Sequence, residues 1–388
     1  MFKIQTRNAI SPVIYNKLDK DLYEVSAEAE NPDAILVRSA DMLSDTFGDN
    51  LLSIARAGAG YNNIPVDRCT EAGICVFNTP GANANAVCEL VICAILLASR
   101  DVLGGIDWAK TLKGQGDAVA KAVEKGKNQF VGPEIAGKTL GILGLGAVGG
   151  LVANAAIALG MKVIGYDPFL SVDSAWHLSR SVIKAASEEA MVAEADYLTI
   201  HIPMNKETRG KFNRDYFAKM KDGAVLINLA RGELVNNDDV KEALDSGKLR
   251  RYVTDFPNDE VLLHKNVICI PHLGASTPES EDNCAEMAAA QTAAYLTTGS
   301  IRNSVNLPAC DLEPTNEHRI AVIHRNVPNV IGSLTSQLGE MKINIENMVN
   351  KSRGDYAYTV LDVAEPVSGE VAAKIAAYGD ILRVRVIR

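Results

Sequence analysis

The chain has no basic excess, no paired cysteine motif and no long apolar run. Its net charge of -9 leaves no surplus of Lys and Arg to hold a phosphate backbone, so nucleic acid is excluded as an expected partner. The seven cysteines, Cys69, Cys75, Cys88, Cys93, Cys269, Cys284 and Cys310, are scattered and odd in number, with no Cys-x-x-Cys pair. That usage implies reduced thiols, many of them buried, in a cytoplasmic protein, and no metal is called for. Met1-Phe2-Lys3-Ile4-Gln5-Thr6-Arg7 lacks the apolar stretch of a secretion signal. The longest apolar run, Leu90 to Ala98, falls far short of the roughly 20 residues that span a bilayer, so no membrane association is expected.

What is present is ample apolar material. Hydrophobic residues make up 47% of 388 residues, enough for packed cores in two or three domains at roughly 150 residues each. Short strand-like runs, Ala34 to Val37, Leu52 to Ala55 and Ile74 to Phe77, each lead into Gly, Asn or Pro. They alternate with helical stretches, which predicts an α/β fold with parallel sheets. Ala84 to Arg100 has helical length and is read as a helix joining two domains. From Asp101 to Lys138 the composition turns to Lys, Gly and Asp around an isolated Trp108, as in surface helix and loop.

From Lys138 the pattern tightens into strand (Thr139 to Leu143), glycine turn, helix (to Leu159) and strand (Lys162 to Tyr166). The turn is Gly144-Leu145-Gly146-Ala147-Val148-Gly149. A lone G-x-G-x-x-G is weak, but here a strand precedes it, a helix follows, and Asp167 ends the next strand. Gly144 serves the tight turn, Gly146 the close approach of a pyrophosphate, and Gly149 the packing of helix on strand. N–H groups at Ala147 and Val148 then face the phosphates. Asp167 accepts ribose hydroxyls and repels a 2′-phosphate, and the next residue is Pro168 rather than a cation, so the cofactor expected is NAD.

Further strands are expected at Tyr197 to His201, Ala224 to Asn228, Tyr252 to Thr254 and Val267 to Pro271, then a long Ala-rich helix from Ser276 to Thr298. Three of these strands end in polar segments: Asn228-Leu229-Ala230-Arg231-Gly232, Asp255-Phe256-Pro257-Asn258-Asp259-Glu260, and Pro271-His272-Leu273-Gly274-Ala275-Ser276-Thr277. Ligands bind at the carboxyl ends of strands in open α/β sheets, so these segments converge on one crevice.

Over residues 1 to 310 the chain resembles the D-isomer-specific 2-hydroxyacid dehydrogenases, on the glycine loop with Asp167 and the Asn-Leu-Ala-Arg-Gly and Pro-His-Leu-Gly-Ala-Ser-Thr runs. The resemblance implies a Rossmann-type domain (101–283) inserted in a flavodoxin-like substrate domain (1–100, completed by 284–310). It implies catalysis by Arg231, Glu260 and His272, with Leu229, Ala230, Arg231, Asp255, His272, Gly274 and Ala275 lining the cofactor site and His201 accessory to it. An arginine can clamp a carboxylate bidentately and polarise the 2-oxygen. Histidine as a residue type titrates near neutral pH and can take the hydroxyl proton, while a carboxylate steadies the imidazolium. A slip of one residue would make Asp259 rather than Glu260 that partner.

Within the family, the resemblance is nearest to the branch that oxidises 3-phospho-D-glycerate to 3-phosphohydroxypyruvate at the start of L-serine synthesis. It implies substrate contacts at Arg38, Ser39, Gly58, Gly60 and Asn83, with Lys127 lent by a neighbouring subunit. The branch's second phosphate-binding arginine is Ala40 here, and Arg56 is a substitute. Beyond a polar segment, Asn306 to His318, read as a hinge, residues 318–388 read βαββαβ, a ferredoxin-like order similar to an ACT domain. That likeness implies L-serine as effector at His324, Asn326 and Asn344, where Asn329 replaces the family's glycine, and a homodimer or homotetramer. Other readings are a dehydrogenase for glycerate, 2-hydroxyglutarate or hydroxypyruvate, and a non-catalytic NAD-sensing protein like the corepressors of the same family.

Overall fold

The computed structural model describes residues 1–314 and 318–387. Five parallel strands, β1 (Phe2–Arg7), β2 (Tyr23–Ser26), β3 (Ala34–Val37), β4 (Ser53–Arg56) and β5 (Cys75–Phe77), pair in the order β2-β1-β3-β4-β5. That is the flavodoxin-like order. Alternate side chains enter opposite cores. Leu36, Ala55 and Phe77 pack with the helix Pro278–Thr298, and Ile35, Val37, Ile54 and Val76 pack with Ile64 and Cys69. A parallel sheet covered on both faces is apolar at every position, hence the unbroken Ala-Ile-Leu-Val of β3. The more polar β1 and β2 escaped sequence reading for the converse reason.

Seven parallel strands form the second sheet. They are β6 (Thr139–Leu143), β7 (Lys162–Tyr166), β8 (Ile183–Lys184), β9 (Tyr197–Ile200), β10 (Ala224–Asn228), β11 (Leu249–Thr254) and β12 (Val267–Cys269), ordered β12-β11-β10-β9-β6-β7-β8. The order reverses between β6 and β9, the topological switch point of a doubly wound fold.

The third sheet is antiparallel. Strands β13 (Arg319–Arg325), β14 (Ile345–Arg353), β15 (Tyr356–Val363) and β16 (Ile381–Ile387) run in the order β14-β15-β13-β16, as in a ferredoxin-like βαββαβ domain. Helices Val330–Glu340 and Gly369–Ala376 bury Leu334, Leu338 and Ile375 against Ile320, Val322 and Leu361 on one face.

Two corrections to domain organisation follow from packing. The chain divides into compact units 1–83 with 278–388, and 84–277. Helix Ala84–Ser99, assigned to the first domain, belongs to the second unit. Its Val91, Ala94, Ile95 and Ala98 share a core with Val152, Ala153, Ala156, Val225 and Val253, and Arg250 caps its end by donating to the Ala98 and Ser99 carbonyls at 3.1 and 3.2 Å. Helix Pro278–Thr298, in turn, starts with the first unit, six residues upstream of the expected 284.

The second correction concerns residues 306–314 of the segment read as a hinge; its residues 315–317 lie outside the described residues. Asn306 is buried, with its amide nitrogen donating to Thr70 Oγ1 (3.0 Å) and Ile74 O (2.9 Å) and its oxygen accepting from Val76 N (2.9 Å). Ile301 and Cys310 bridge as a strand pair. The open face of the third sheet does not stand free either. Ala321, Ile323, Tyr358, Val360 and Ile387 join the core of Phe77, Tyr295 and Leu296.

Polar groups lock that contact at the end of helix Pro278–Thr298, where the last carbonyls have no partners within the helix. Arg385 donates to Tyr295 O (3.0 Å) and Leu296 O (2.9 Å) and lies 4.5 Å from the Tyr295 ring centre. Arg319 donates to Thr298 O and Leu312 O (2.8 and 2.7 Å) and pairs with the buried Asp362. Tyr358 donates to Gly299 O at 2.8 Å.

Candidate functional site

The site in the second unit is built at the carboxyl ends of β6, β7, β9, β10 and β11. Its three loop glycines are required for three different reasons. Gly144 has φ +91°, and a Cβ there would lie 2.6 Å from His201 O. At Gly149 a Cβ would lie 2.0 Å from Gly144 O, so helix Ala147–Ala158 could not close on β6. Gly146 has nothing within 4 Å of a built Cβ. Its side is open, and it immediately precedes the helix whose first N–H groups, at Ala147 and Val148, have no partners within the helix.

Asp167 stands at the end of β7 as expected. Its Oδ2 accepts from Leu145 N (2.9 Å) and its Oδ1 from Phe169 N (2.8 Å). Those bonds fix the carboxylate beside the loop, and each oxygen keeps a lone pair for a ribose hydroxyl. The residues present therefore fit a dinucleotide: an open glycine at the phosphates, a helix start, and a carboxylate fixed beside them. His201, half-buried, shares a 3.0 Å hydrogen bond with Thr199 Oγ1, and loss of hydration pushes its pKa down to about 4. Its backbone carbonyl is what a Cβ at Gly144 would strike.

The Leu229-Ala230-Arg231 turn is shaped by a residue that sequence reading left without a role. Asn228, fully buried, accepts from Ala230 N (3.1 Å) and Arg231 N (3.4 Å) and donates to Arg231 O (2.8 Å). Its place at the end of β10, ahead of the arginine, was the available signal. The Arg231 side chain is exposed, with Nη1 on Ala230 O at 2.7 Å.

His272 takes φ +31°, unusual for a residue with a Cβ. Its N–H donates to Asp255 O (3.2 Å) and Ile270 O (3.0 Å), and its ring lies 4.8 Å from that of Phe256. Backbone strain of this kind persists where surrounding structure enforces it, and clusters at functional sites. Asp255 is buried at 2% exposure, and its Oδ1 has no donor among the described residues. Desolvation raises its pKa, opposed in part by the charges of His272 and Arg231. Gly274 is buried beside it: a Cβ there would lie 3.6 Å from Asp255 Oδ2. Arg231, Asp255 and His272 thus form one electrostatic group, and Leu229, Ala230 and Ala275 flank it in sequence.

Glu260 is not part of that group. It is exposed on the turn after β11, its N–H caps onto Asn258 Oδ1 (3.1 Å), and no ion pair joins it or Asp259 to His272 among the described residues. The carboxyl that senses the charge of His272 is Asp255.

In the first unit, Arg38 follows β3 and Arg56 ends β4. Arg56 Nε donates to Arg38 O (3.0 Å), and its guanidinium lies where a Cβ on Gly58 would fall. The Arg56 guanidinium thus lies over Gly58 and beside the Arg38 backbone, with Gly60 two residues on. Arg38 Nη2 meets Glu281 Oε1 at 2.5 Å. The N–H groups of Ser39 and Ala40 are not free to hold an anion, because Asn8 Oδ1 accepts from both (3.0 and 2.6 Å). Asn83 is the last residue of its segment, half-exposed. Lys127, in the second unit, is exposed and pairs with Glu124 at 2.5 Å.

The effector residues are largely self-satisfied. His324 lies inside β13, buried, its ring bonded to Thr359 Oγ1 (2.9 Å) and Arg325 O (2.7 Å). Asn326 donates to Gly354 O at 3.0 Å. Asn344 is exposed, its N–H on Glu365 Oε2 at 2.9 Å. Asn329 adopts φ +70°, the left-handed conformation that a glycine would supply and that asparagine tolerates.

Residues 101–274 match the family model of the D-isomer specific 2-hydroxyacid dehydrogenase NAD binding domain. The hydroxypyruvate reductase of Thermotoga maritima is 36% identical over 276 residues, covering 68% of this chain and 84% of that protein. The chain belongs to the D-isomer specific 2-hydroxyacid dehydrogenases. Residues 101–274 are that family's NAD-binding domain, and the Gly144–Gly149 loop lies within it. It is also similar to the D-3-phosphoglycerate dehydrogenase of Bacillus subtilis, 32% identical over 349 residues, 88% of this chain and 63% of that protein. The chain spans 54% to 63% of the length of the first three curated relatives of that name. Among solved structures, the NAD-bound 3-phosphoglycerate dehydrogenase of Entamoeba histolytica superposes with a TM-score of 0.61 at 27% identity, covering 79% of this chain and 98% of that one. No helix among the described residues is long and apolar enough to cross a membrane.

Proposed function

We propose that this 2-hydroxyacid dehydrogenase oxidises 3-phospho-D-glycerate to 3-phosphohydroxypyruvate, the entry to L-serine synthesis, as a cytoplasmic homo-oligomer. The observation that carries the substrate reading is that Arg38 and Arg56 stand at the ends of the paired strands β3 and β4, with the Arg56 guanidinium over Gly58, a placement that suits a phosphorylated acid. It accounts for the substitution of Ala40, since Arg56 supplies the second guanidinium from the neighbouring strand. Arg38, Arg56, Gly58, Gly60 and Asn83 form the substrate side of this reading; Ser39 supports it only through its side chain. Lys127 would act from a second subunit after leaving Glu124.

Bound NAD supplies the hydride acceptor. Gly144 to Gly149 and Asp167 would hold its pyrophosphate and ribose, and the unpaired Oδ1 of Asp255 would accept from the carboxamide. Arg231 holds the substrate carboxylate and polarises the 2-oxygen through charged hydrogen bonds. His272, fixed by its backbone bonds and by Phe256, takes the 2-hydroxyl proton on its imidazole, and Asp255 stabilises the cation that results. Glu260, exposed on the turn after β11, is the second carboxylate of this reading and would share in that stabilisation.

A second reading, reduction of hydroxypyruvate, is favoured by the pairing of Arg38 with Glu281 and by the Thermotoga relative. NADH oxidation with 3-phosphohydroxypyruvate, hydroxypyruvate and 2-oxoglutarate separates them: the phosphorylated acid is expected to have the highest kcat/KM. Equal turnover of hydroxypyruvate refutes the phosphate reading. Adding L-serine tests the effector reading, in which Asn344 and the loop 326–329 form the polar contacts; unchanged rates leave the third sheet with a packing role alone. His272→Gln is expected to lower kcat by about 10²–10⁴ with NADH affinity retained. An equal loss of NADH binding would remove its role as proton acceptor.

A further inference from the structure

We infer that Asn78, itself held by Gln291, is a positioning residue that aims the Ala59 and Gly60 N–H groups at an anionic group of the substrate. This rests on the substrate reading above and adds to it two side chains to which the catalytic chemistry gives no role. Just after β4 the chain turns at Gly58, whose φ of +151° glycine adopts readily. Thr79 N donates to Gly58 O at 3.1 Å, and Asn78 Nδ2 donates to Ala59 O at 2.7 Å. Both carbonyls therefore face the segment that leaves β5.

No peptide bond here is cis, and in a trans peptide the N–H points opposite to the C=O of the same plane. The N–H groups of Ala59 and Gly60 share those two planes, so both are turned away from Asn78 and Thr79. Neither has a partner among the described residues. Successive N–H groups on one side of the chain make a concavity for an anion. The N–H groups after β3, on Ser39 and Ala40, are taken by Asn8 instead.

Asn78 can hold the loop because its own backbone is fixed. Gln291, in helix Pro278–Thr298, is 7% exposed and donates from Nε2 to Asn78 O at 3.0 Å, while its Oε1 has no partner among the described residues. A buried, unpaired oxygen costs stability. The one bond this amide makes through its side chain goes to Asn78, and the one that Asn78 makes goes to the loop.

The test measures KM and kcat for 3-phosphohydroxypyruvate and hydroxypyruvate, with NADH titration and thermal unfolding alongside. The proteins are the parent, Asn78→Ala, Asn78→Ser (too short to reach Ala59 O), Gln291→Met, and Asn78→Ala combined with Gln291→Met. A freed Ala59 carbonyl lets its peptide rotate and removes one charged hydrogen bond to the substrate. Asn78→Ala and Asn78→Ser are therefore expected to raise KM about 10-fold, with kcat and NADH affinity within about 2-fold of the parent. A rise for both acids assigns the N–H pair to the carboxylate they share, and a rise for the phosphorylated acid alone assigns it to the phosphate. Gln291→Met is expected to raise KM about 3-fold, and the double variant to be no worse than Asn78→Ala, because the glutamine acts through the asparagine. Unchanged KM for both acids in a folded Asn78→Ala or Asn78→Ser protein overturns the inference, as does a fall confined to kcat or NADH affinity. Additive effects in the double variant overturn the part given to Gln291. Failure of the parent to turn over 3-phosphohydroxypyruvate overturns the phosphate reading alone, since KM for hydroxypyruvate still reports on the loop.

Discussion

The same substitution, glycine to alanine, should give three distinct results along the Gly144–Gly149 loop. At Gly149 the new Cβ would sit 2.0 Å from Gly144 O, backbone against backbone, which no rotamer can relieve. Overpacking of this kind costs about 2–4 kcal/mol. In a unit of this size that lowers the melting temperature by about 4–16 °C, at roughly 2–4 °C per kcal/mol. At Gly144 the collision with His201 O at 2.6 Å is compounded by φ +91°, a strained conformation costing a further 1–3 kcal/mol or so.

At Gly146 neither penalty exists. The backbone is extended, at φ -68° and ψ -158°, and nothing lies within 4 Å of the added atom. Stability should change by no more than about 0.5–1 kcal/mol, while the methyl occupies the space through which a pyrophosphate reaches the helix start. NADH affinity is then expected to fall about 10- to 100-fold, equal to about 1.4–2.8 kcal/mol. Thermal unfolding without cofactor, paired with NADH titration by fluorescence, reads both quantities. If Gly146→Ala melts as early as Gly149→Ala, or binds NADH like the parent, the assignment of the open side to the phosphates is wrong.

Other consequences are more local. Arg385→Met removes two charged hydrogen bonds, to Tyr295 O, which keeps Gly299 N at 3.0 Å, and to Leu296 O, which loses its guanidinium donor, so chemical denaturation should show a loss of about 2–3 kcal/mol; a loss under about 1 kcal/mol would mean that water replaces the guanidinium. Burial raises the pKa of Asp255. Its contribution to stability is therefore complete below the ordinary carboxylate value of 3.8 and lost as pH rises through the raised one. Asp255→Asn should accordingly melt higher than the parent at neutral pH yet bind NADH more weakly, and equal melting temperatures across pH would contradict the burial argument. For His201 the sign is opposite: its pKa is lowered from 6.5 to about 4, so the stability it contributes is present above pH 6.5 and lost as pH falls through about 4. His201→Asn should flatten the acid limb of a melting-temperature profile below pH 6.5, and an unaltered limb would show that other groups govern it.

Much of the second unit was legible because its chemistry is local. The glycine loop, Asp167 and the runs at Asn228 and His272 are contiguous, and each follows a strand whose apolar residues announce it. Even the separate demands on Gly144, Gly146 and Gly149 follow from backbone sterics within one turn. Short polar strands such as β2 and β8 were not legible, because edge strands need no apolar run to form.

The chain by itself determined the order of its elements, the cofactor loop and the residues at the strand ends. Only tertiary structure decided which of those residues meet. Asp255 rather than Glu260 lies in the field of His272, because β11 carries the first into the buried interior and the following turn carries the second into water. Arg56 reaches the Arg38 carbonyl across 18 residues of sequence because β3 and β4 are neighbours, and Glu281 meets the Arg38 side chain from 243 residues away. The segment Asn306 to His318 looked like a hinge because polar residues usually remain hydrated. Asn306 is instead buried with every amide group bonded, and the face of the third sheet is closed against the helix that precedes it. Composition reports what a residue prefers in water, whereas the fold selects the partners that can replace that water.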